Sequence, residues 1–194
     1  MRPTKDPRAG QVLSCWFGTG NDYGKRRKEW FQKDAAFDAA IRERFLALHE
    51  EGARRGLESW TNAVGDCLAL IVLLDQFPRN MFRGSARAFA SDALARDAAG
   101  QALQQGHDRG LLPVERMFVY LPFEHSEALQ DQLLCRDLMR PLEQFEETKD
   151  VYDYAVRHHA IIARFGRFPH RNEALGRAST PEEIEFLKQP GSGF

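Results

Sequence analysis

The sequence predicts an all-α fold, a single domain of stacked antiparallel helix pairs. Three observations carry this. Ala and Leu together number 43, against 17 Val, Ile and Thr, so helix formers far outnumber the β-branched residues that favour strands. Apolar residues recur at helical spacing, as in Phe37, Ile41, Phe45 and Leu48. Caps and breakers punctuate the chain into seven or eight helices with short connections, which suits stacked pairs better than a four-helix bundle.

Each element has its own signal. Asp6-Pro7 supplies an N-cap and first-turn proline for a helix reaching Trp16 and Phe17, broken by residues 18–22. Asp34 opens a second helix, which ends between Gly52 and Gly56. A third, from about Asn62 to Phe77, is apolar on every side from Cys67 to Leu74 and is the expected central element, with Pro78 as its stop. The fourth runs from about Ser91 to Gln105 and closes at Gly106. Pro113 starts a fifth, expected to carry Met117, Phe118 and Leu121 before Pro122. A sixth is expected from about Ser126 to Phe145, and a seventh from Thr148 or Asp150 to Phe165. Thr180-Pro181-Glu182-Glu183 is a capping box for a short last helix. The domain is thus expected over residues 1–188, with 189–194 as a tail.

Composition excludes several classes. With 43% hydrophobic residues, 14 Phe and 3 Trp the chain can build a core and is not disordered. A net charge of −1 gives no support to nucleic-acid binding or a membrane surface as partner. The longest apolar stretch, Leu68 to Leu74, is seven residues, too short to span a bilayer. The N-terminus has no signal-peptide pattern, and Cys15, Cys67 and Cys135 are widely spaced, so the expected setting is a reducing cytoplasm. No metal-ligand spacing, nucleotide loop or nucleophile elbow appears; neither metal nor cofactor is expected.

The basic residues are uneven: 21 Arg against 6 Lys. Arg offers a planar fork for phosphate or carboxylate where Lys offers a point charge. Two segments resemble each other, Phe77-Pro78-Arg79-Asn80 and Phe168-Pro169-His170-Arg171-Asn172, each at the end of an apolar helix. Chance, or a basic cap on a helix stop used twice, accounts for such a match more readily than duplication does. From Tyr154 to Asn172 there is no acidic residue, only Arg157, Arg164, Arg167, Arg171 and three histidines, a patch for an anion unless acids elsewhere neutralise it. His158 falls on the buried stripe of its helix, with Arg157 and Arg164 on the other face. Glu124-His125 joins a carboxylate and an imidazole at a helix junction, although adjacent helical residues point apart. Asp75 and Gln76 end the apolar helix and need partners, with Arg79 or Arg83 the nearest.

Several of these motifs, taken together, resemble a bacterial family known as domain of unknown function 924. Val12-Leu13 with Trp16-Phe17, Trp30-Phe31 before Phe37-Asp38, and Leu73 to Asn80 followed by Phe82-Arg83-Gly84 carry the resemblance. So do Tyr120 to Ser126 and Arg164 to Asn172. The resemblance implies an all-helical, tetratricopeptide-like fold and brings no catalytic residue with it.

The function expected from the residues is a polar pocket that binds a small phosphate- or carboxylate-bearing ligand. Gln76, Arg79, Arg83, Arg164, Arg167, His170 and Arg171 are its ligand-binding candidates. His158, His125 and Glu124 are candidates for proton transfer, should the protein be an enzyme. The rival expectation is a helical-repeat module that binds a peptide or protein partner without catalysis.

Overall fold

Capping chemistry sets where the helices begin. The computed structural model describes residues 2–193, which hold eight α-helices and no strand. Asp6 caps α1 (Pro7–Phe17) by accepting from the Arg8 amide, and Asp34 caps α2 (Ala35–Ala53) by accepting from Ala36 and Phe37. Then follow α3 (Val64–Met81), α4 (Asp92–Gln104), α5 (Pro113–Glu124), α6 (Leu129–Met139), α7 (Val151–Phe165) and α8 (Pro181–Leu187). The Thr180 and Glu183 side chains form the capping box that starts α8.

Helix α3 is the centre of the fold. Every residue from Gly65 to Phe82 is buried apart from Arg79, and α1, α2, α4 and α5 all pack against it. Its Phe77 meets Trp16 with ring centroids 5.8 Å apart, and Trp16 in turn meets Phe118 of α5 edge-on at 5.4 Å. Such tilted and edge-on ring pairs add about 0.5–1.5 kcal/mol each beyond burial.

Proline placement corrects three expected boundaries. Pro78 does not end α3, which continues through it to Met81. Proline lacks the N–H that the Leu74 carbonyl would receive, but the Ser91 hydroxyl donates to that carbonyl instead, at 2.6 Å. The start of α4 thereby supplies the bond that α3 lacks. Pro122 likewise lies inside α5, which reaches Glu124. The sixth helix is shorter than its sequence pattern: α6 spans Leu129–Met139, and Arg140–Gln144 tightens into a 3₁₀ turn with Pro141 in its first turn.

Two further placements bear on function. His158 is buried on the inner face of α7, whereas Tyr154, one turn earlier, is 43% exposed. Residues 189–193, expected as a tail, turn back so that Gly191 and Gly193 line the same cavity as His170. Met1 and Phe194, at the outer bounds of the expected domain and tail, lie outside the described residues. Among those described, no helix is long and apolar enough to cross a membrane.

Candidate functional site

A cavity of about 630 Å³ opens where the ends of α3, α5 and α7 approach the 3₁₀ turn Pro169–Arg171. Gln76, Arg79, Arg83, Glu124, His125 and His158 line it, joined by His170 and Arg171. Residues nearly a hundred positions apart therefore share one wall.

Its floor is built on Asp75, which is fully buried. The Asp75 carboxylate accepts from His125 Nδ1 at 2.8 Å and from Gln76 Nε2 at 2.5 Å, with Arg79 Nη1 at 3.4 Å. Burial alone would push this carboxyl up, but the Arg79 charge and the hydrogen bonds from His125 and Gln76 outweigh it and hold Asp75 below its ordinary range. Arg79 also grips Asp92 with both terminal nitrogens, at 2.9 and 3.0 Å. Both terminal nitrogens of its guanidinium are thereby engaged.

Arg171 is placed differently. It is 6% exposed, donates to the His125 carbonyl at 2.9 Å, and lies 3.6 Å from the Asp92 oxygen that Arg79 already holds. Among the described residues its Nε has no hydrogen-bond partner. The guanidinium carbon sits 4.7 Å from the Phe89 ring centroid and 4.4 Å from that of Phe168, so the side chain is clamped between two faces. Burial, then repulsion from Arg79, lowers its pKa to about 10.

Glu124 and His125 are consecutive, yet their side chains part, as helical geometry requires. His125 reaches back to Asp75, while Glu124 faces Cys135 of α6, with sulfur and oxygen 3.8 Å apart, and His158 of α7 at 3.5 Å. The His158 Nδ1–H donates to the Tyr154 carbonyl at 2.9 Å, so it offers Glu124 no strong bond. Burial, with the Asp75 charge nearby, pushes the Glu124 carboxyl up to about 8. Burial also takes His158 down to about 3 and His170 to about 4, and lowers His125. At neutral pH the site holds neutral imidazoles and a protonated carboxyl.

Two expected members are elsewhere. Arg164 lies outside the cavity and pairs with Glu182 at 2.8 Å, and Arg167 pairs with Glu183 at 2.6 Å. Both serve α8 rather than the cavity. Arg83 does reach it, held by Asp38. The wall also contains residues not singled out from the sequence as members of the site: Arg26 paired with Asp150, Lys33, Arg157 and the rings of Trp30 and Tyr154. Among the described residues neither Lys33 nor Arg157 has a carboxylate within ion-pair distance. Asp92 gives no sign of its role in the sequence, where it reads as the first turn of α4. No group of three His, Cys, Asp or Glu side chains among the described residues could hold a metal ion.

The family model described as "bacterial protein of unknown function (DUF924)" matches residues 12–191. The chain belongs to this family. A solved structure from Agrobacterium tumefaciens, titled a protein of unknown function, is 42% identical with a TM-score of 0.83. The similarity covers 94% of this chain and 97% of that one. No curated protein matches. The DUF924 match spans Gln76, Glu124, His125, His158 and Arg171, so the whole floor of the cavity falls within the family region.

Proposed function

We propose that this cavity binds a small anionic ligand through a phosphate or carboxylate, with Arg171 as its anchor. The carrying observation is the buried, cavity-lining Arg171, which among the described residues has no carboxylate within hydrogen-bond distance, the nearest lying 3.6 Å away and already forked by Arg79. A buried donor left unpaired costs about 1–3 kcal/mol, more when charged, and an anion recovers that cost. Gln76 supports the same reading. Its amide nitrogen is committed to Asp75, which leaves its carbonyl oxygen to orient a ligand hydroxyl or amine. Lys33, Arg157 and Arg83 add positive charge around the cavity, and Phe89 and Trp30 give it apolar surface.

A thermal-shift and calorimetry panel of phosphorylated and carboxylated metabolites tests this, because a ligand of the native state raises its melting temperature. Stabilisation by at least one class, weakened tenfold or more in Arg171→Leu, is the expected result. A flat response across both classes overturns it.

The second reading, a tetratricopeptide-like partner-binding module, draws on Leu129, Leu133 and Leu134 of α6, which are 44%, 38% and 39% exposed and lie outside the cavity. Under it, Leu133→Glu removes partner binding and leaves the anion response untouched.

A further inference from the structure

We infer that Glu124 and His125 are an acid–base pair acting on the bound anion, and that the protein catalyses proton transfer on a small anionic carbonyl compound with an enolisable C–H. This rests on the anion-binding reading above and adds a reaction to it.

Geometry separates the two roles. His125 Nδ1–H donates to the Asp75 carboxylate, which accepts only, so the lone pair lies on Nε2. Among the described residues that Nε2 has no hydrogen-bond partner, and the His125 side chain, 14% exposed, lines the cavity. Asp75 is itself held by Gln76 and Arg79, so it positions the ring rather than rotating with it. Glu124 enters the same cavity from the other side of the junction, facing His158, Cys135 and, at longer range, Asp75. Among the described residues no Lys or Arg pairs with it, and burial keeps its proton on the carboxyl at neutral pH. Burial and the Arg79 charge hold the imidazole pKa below its ordinary value, against the opposing pull of Asp75 and Asp92. A neutral base and a neutral acid thus face one space, the arrangement that divides acid and base roles between titratable groups. The one thiol nearby, Cys135, is fully buried, and burial raises its pKa well above the ordinary value, so it does not compete as a nucleophile.

The step balances without a co-reactant. His125 Nε2 takes the proton from the carbon beside the carbonyl, and the C–H electron pair becomes the C=C bond. The carbonyl π pair moves to oxygen, which takes the Glu124 proton. Imidazolium and carboxylate remain, and the reverse transfers restore both while returning the carbonyl compound. In D₂O the imidazolium exchanges with solvent first, so deuterium enters the carbon.

The test follows that label in the full chain. Pyruvate, 2-oxoglutarate and dihydroxyacetone phosphate are each titrated by calorimetry, then incubated in D₂O and followed by proton NMR. A probe that binds is expected to lose its C–H signal at least about 100-fold faster than in buffer, the usual reach of acid–base catalysis. His125→Gln is expected to abolish exchange with affinity kept within a few-fold, and Glu124→Gln, which preserves shape, to slow it at least about tenfold. Asp75→Asn is expected to shift the pH profile of exchange rather than the affinity. Binding without exchange, or exchange indifferent to both Glu124→Gln and His125→Gln, overturns the proposal and leaves anion binding standing. Absence of binding by all three probes overturns this proposal alone, because the anion reading falls only on a flat response across the wider phosphate and carboxylate panel.

Discussion

The two look-alike segments, Phe77-Pro78-Arg79-Asn80 and Phe168-Pro169-His170-Arg171-Asn172, converge in space on one carboxylate. Arg79 holds both oxygens of Asp92, and Arg171 approaches one of them at 3.6 Å. Beyond that shared partner they diverge. The first segment continues an α-helix through its proline, so Arg79 also meets Asp75 one turn earlier. The second is a 3₁₀ turn after Gly166, which adopts the left-handed conformation (φ 68°) that ends α7. From that turn Arg171 meets the His125 carbonyl and the Phe89 and Phe168 rings but no carboxylate of its own. Nearly the same side chains therefore make a structural lock in one place and an underpaired charge in the other. Composition at a motif does not decide its role; the partners available to it do.

Substitutions break this contrast in order of size. Arg79→Leu leaves fully buried Asp75 short of its cation, and should cost about 3–5 kcal/mol by chemical denaturation. Arg171→Leu should cost no more than about 1.5 kcal/mol, because the side chain is poorly paired to begin with. Equal losses for the two would erase the distinction between lock and anchor. Ser91→Ala tests how the first segment stays helical. It removes the donor to the Leu74 carbonyl, and a loss of about 1–3 kcal/mol is expected.

Glu124→Gln should act through pH. The Glu124 carboxyl keeps its proton up to about 8 in the native state but loses it near 4.5 when unfolded. Between those values the native state binds more protons, so stability falls as pH rises across that window. The Gln variant lacks this loss and should gain on the order of 1–2 kcal/mol over the parent between pH 5 and 9. A melting-temperature difference that stays constant over this range would contradict a protonated Glu124. His158, lowered to about 3, works in the opposite sense: its contribution is lost as pH falls below about 6.5. Smallest is Arg164→Ala. Its exposed pair with Glu182 should be worth no more than about 0.5 kcal/mol, with anion binding unchanged.

Much of the fold was legible because it rests on local chemistry. Asp6, Asp34 and Thr180 announce helix starts through side-chain oxygens that meet backbone amides two or three residues on. The all-apolar run through Leu68–Leu74 could lie nowhere but the centre. The boundaries at Pro78 and Pro122 were not legible, because a proline ends a helix only when the orphaned carbonyl finds no other donor. For Leu74 that donor is Ser91, seventeen residues away.

The candidate site divides in the same manner. His158 could be placed on a buried face from spacing alone, and Arg79 or Arg83 was the expected partner for Asp75 and Gln76. Asp92 could not be found in this way, nor could the departure of Arg164 and Arg167 to Glu182 and Glu183.

The sequence alone determined helix content, most caps, the central helix and a supply of Arg, His and buried carboxyl groups. Those follow from interactions within a turn or two of chain. Only the tertiary structure decided which charges cancel and which stay open. Electrostatic pairing depends on distance through space and on burial, and the contacts that set both run between α3, α4, α5 and α7.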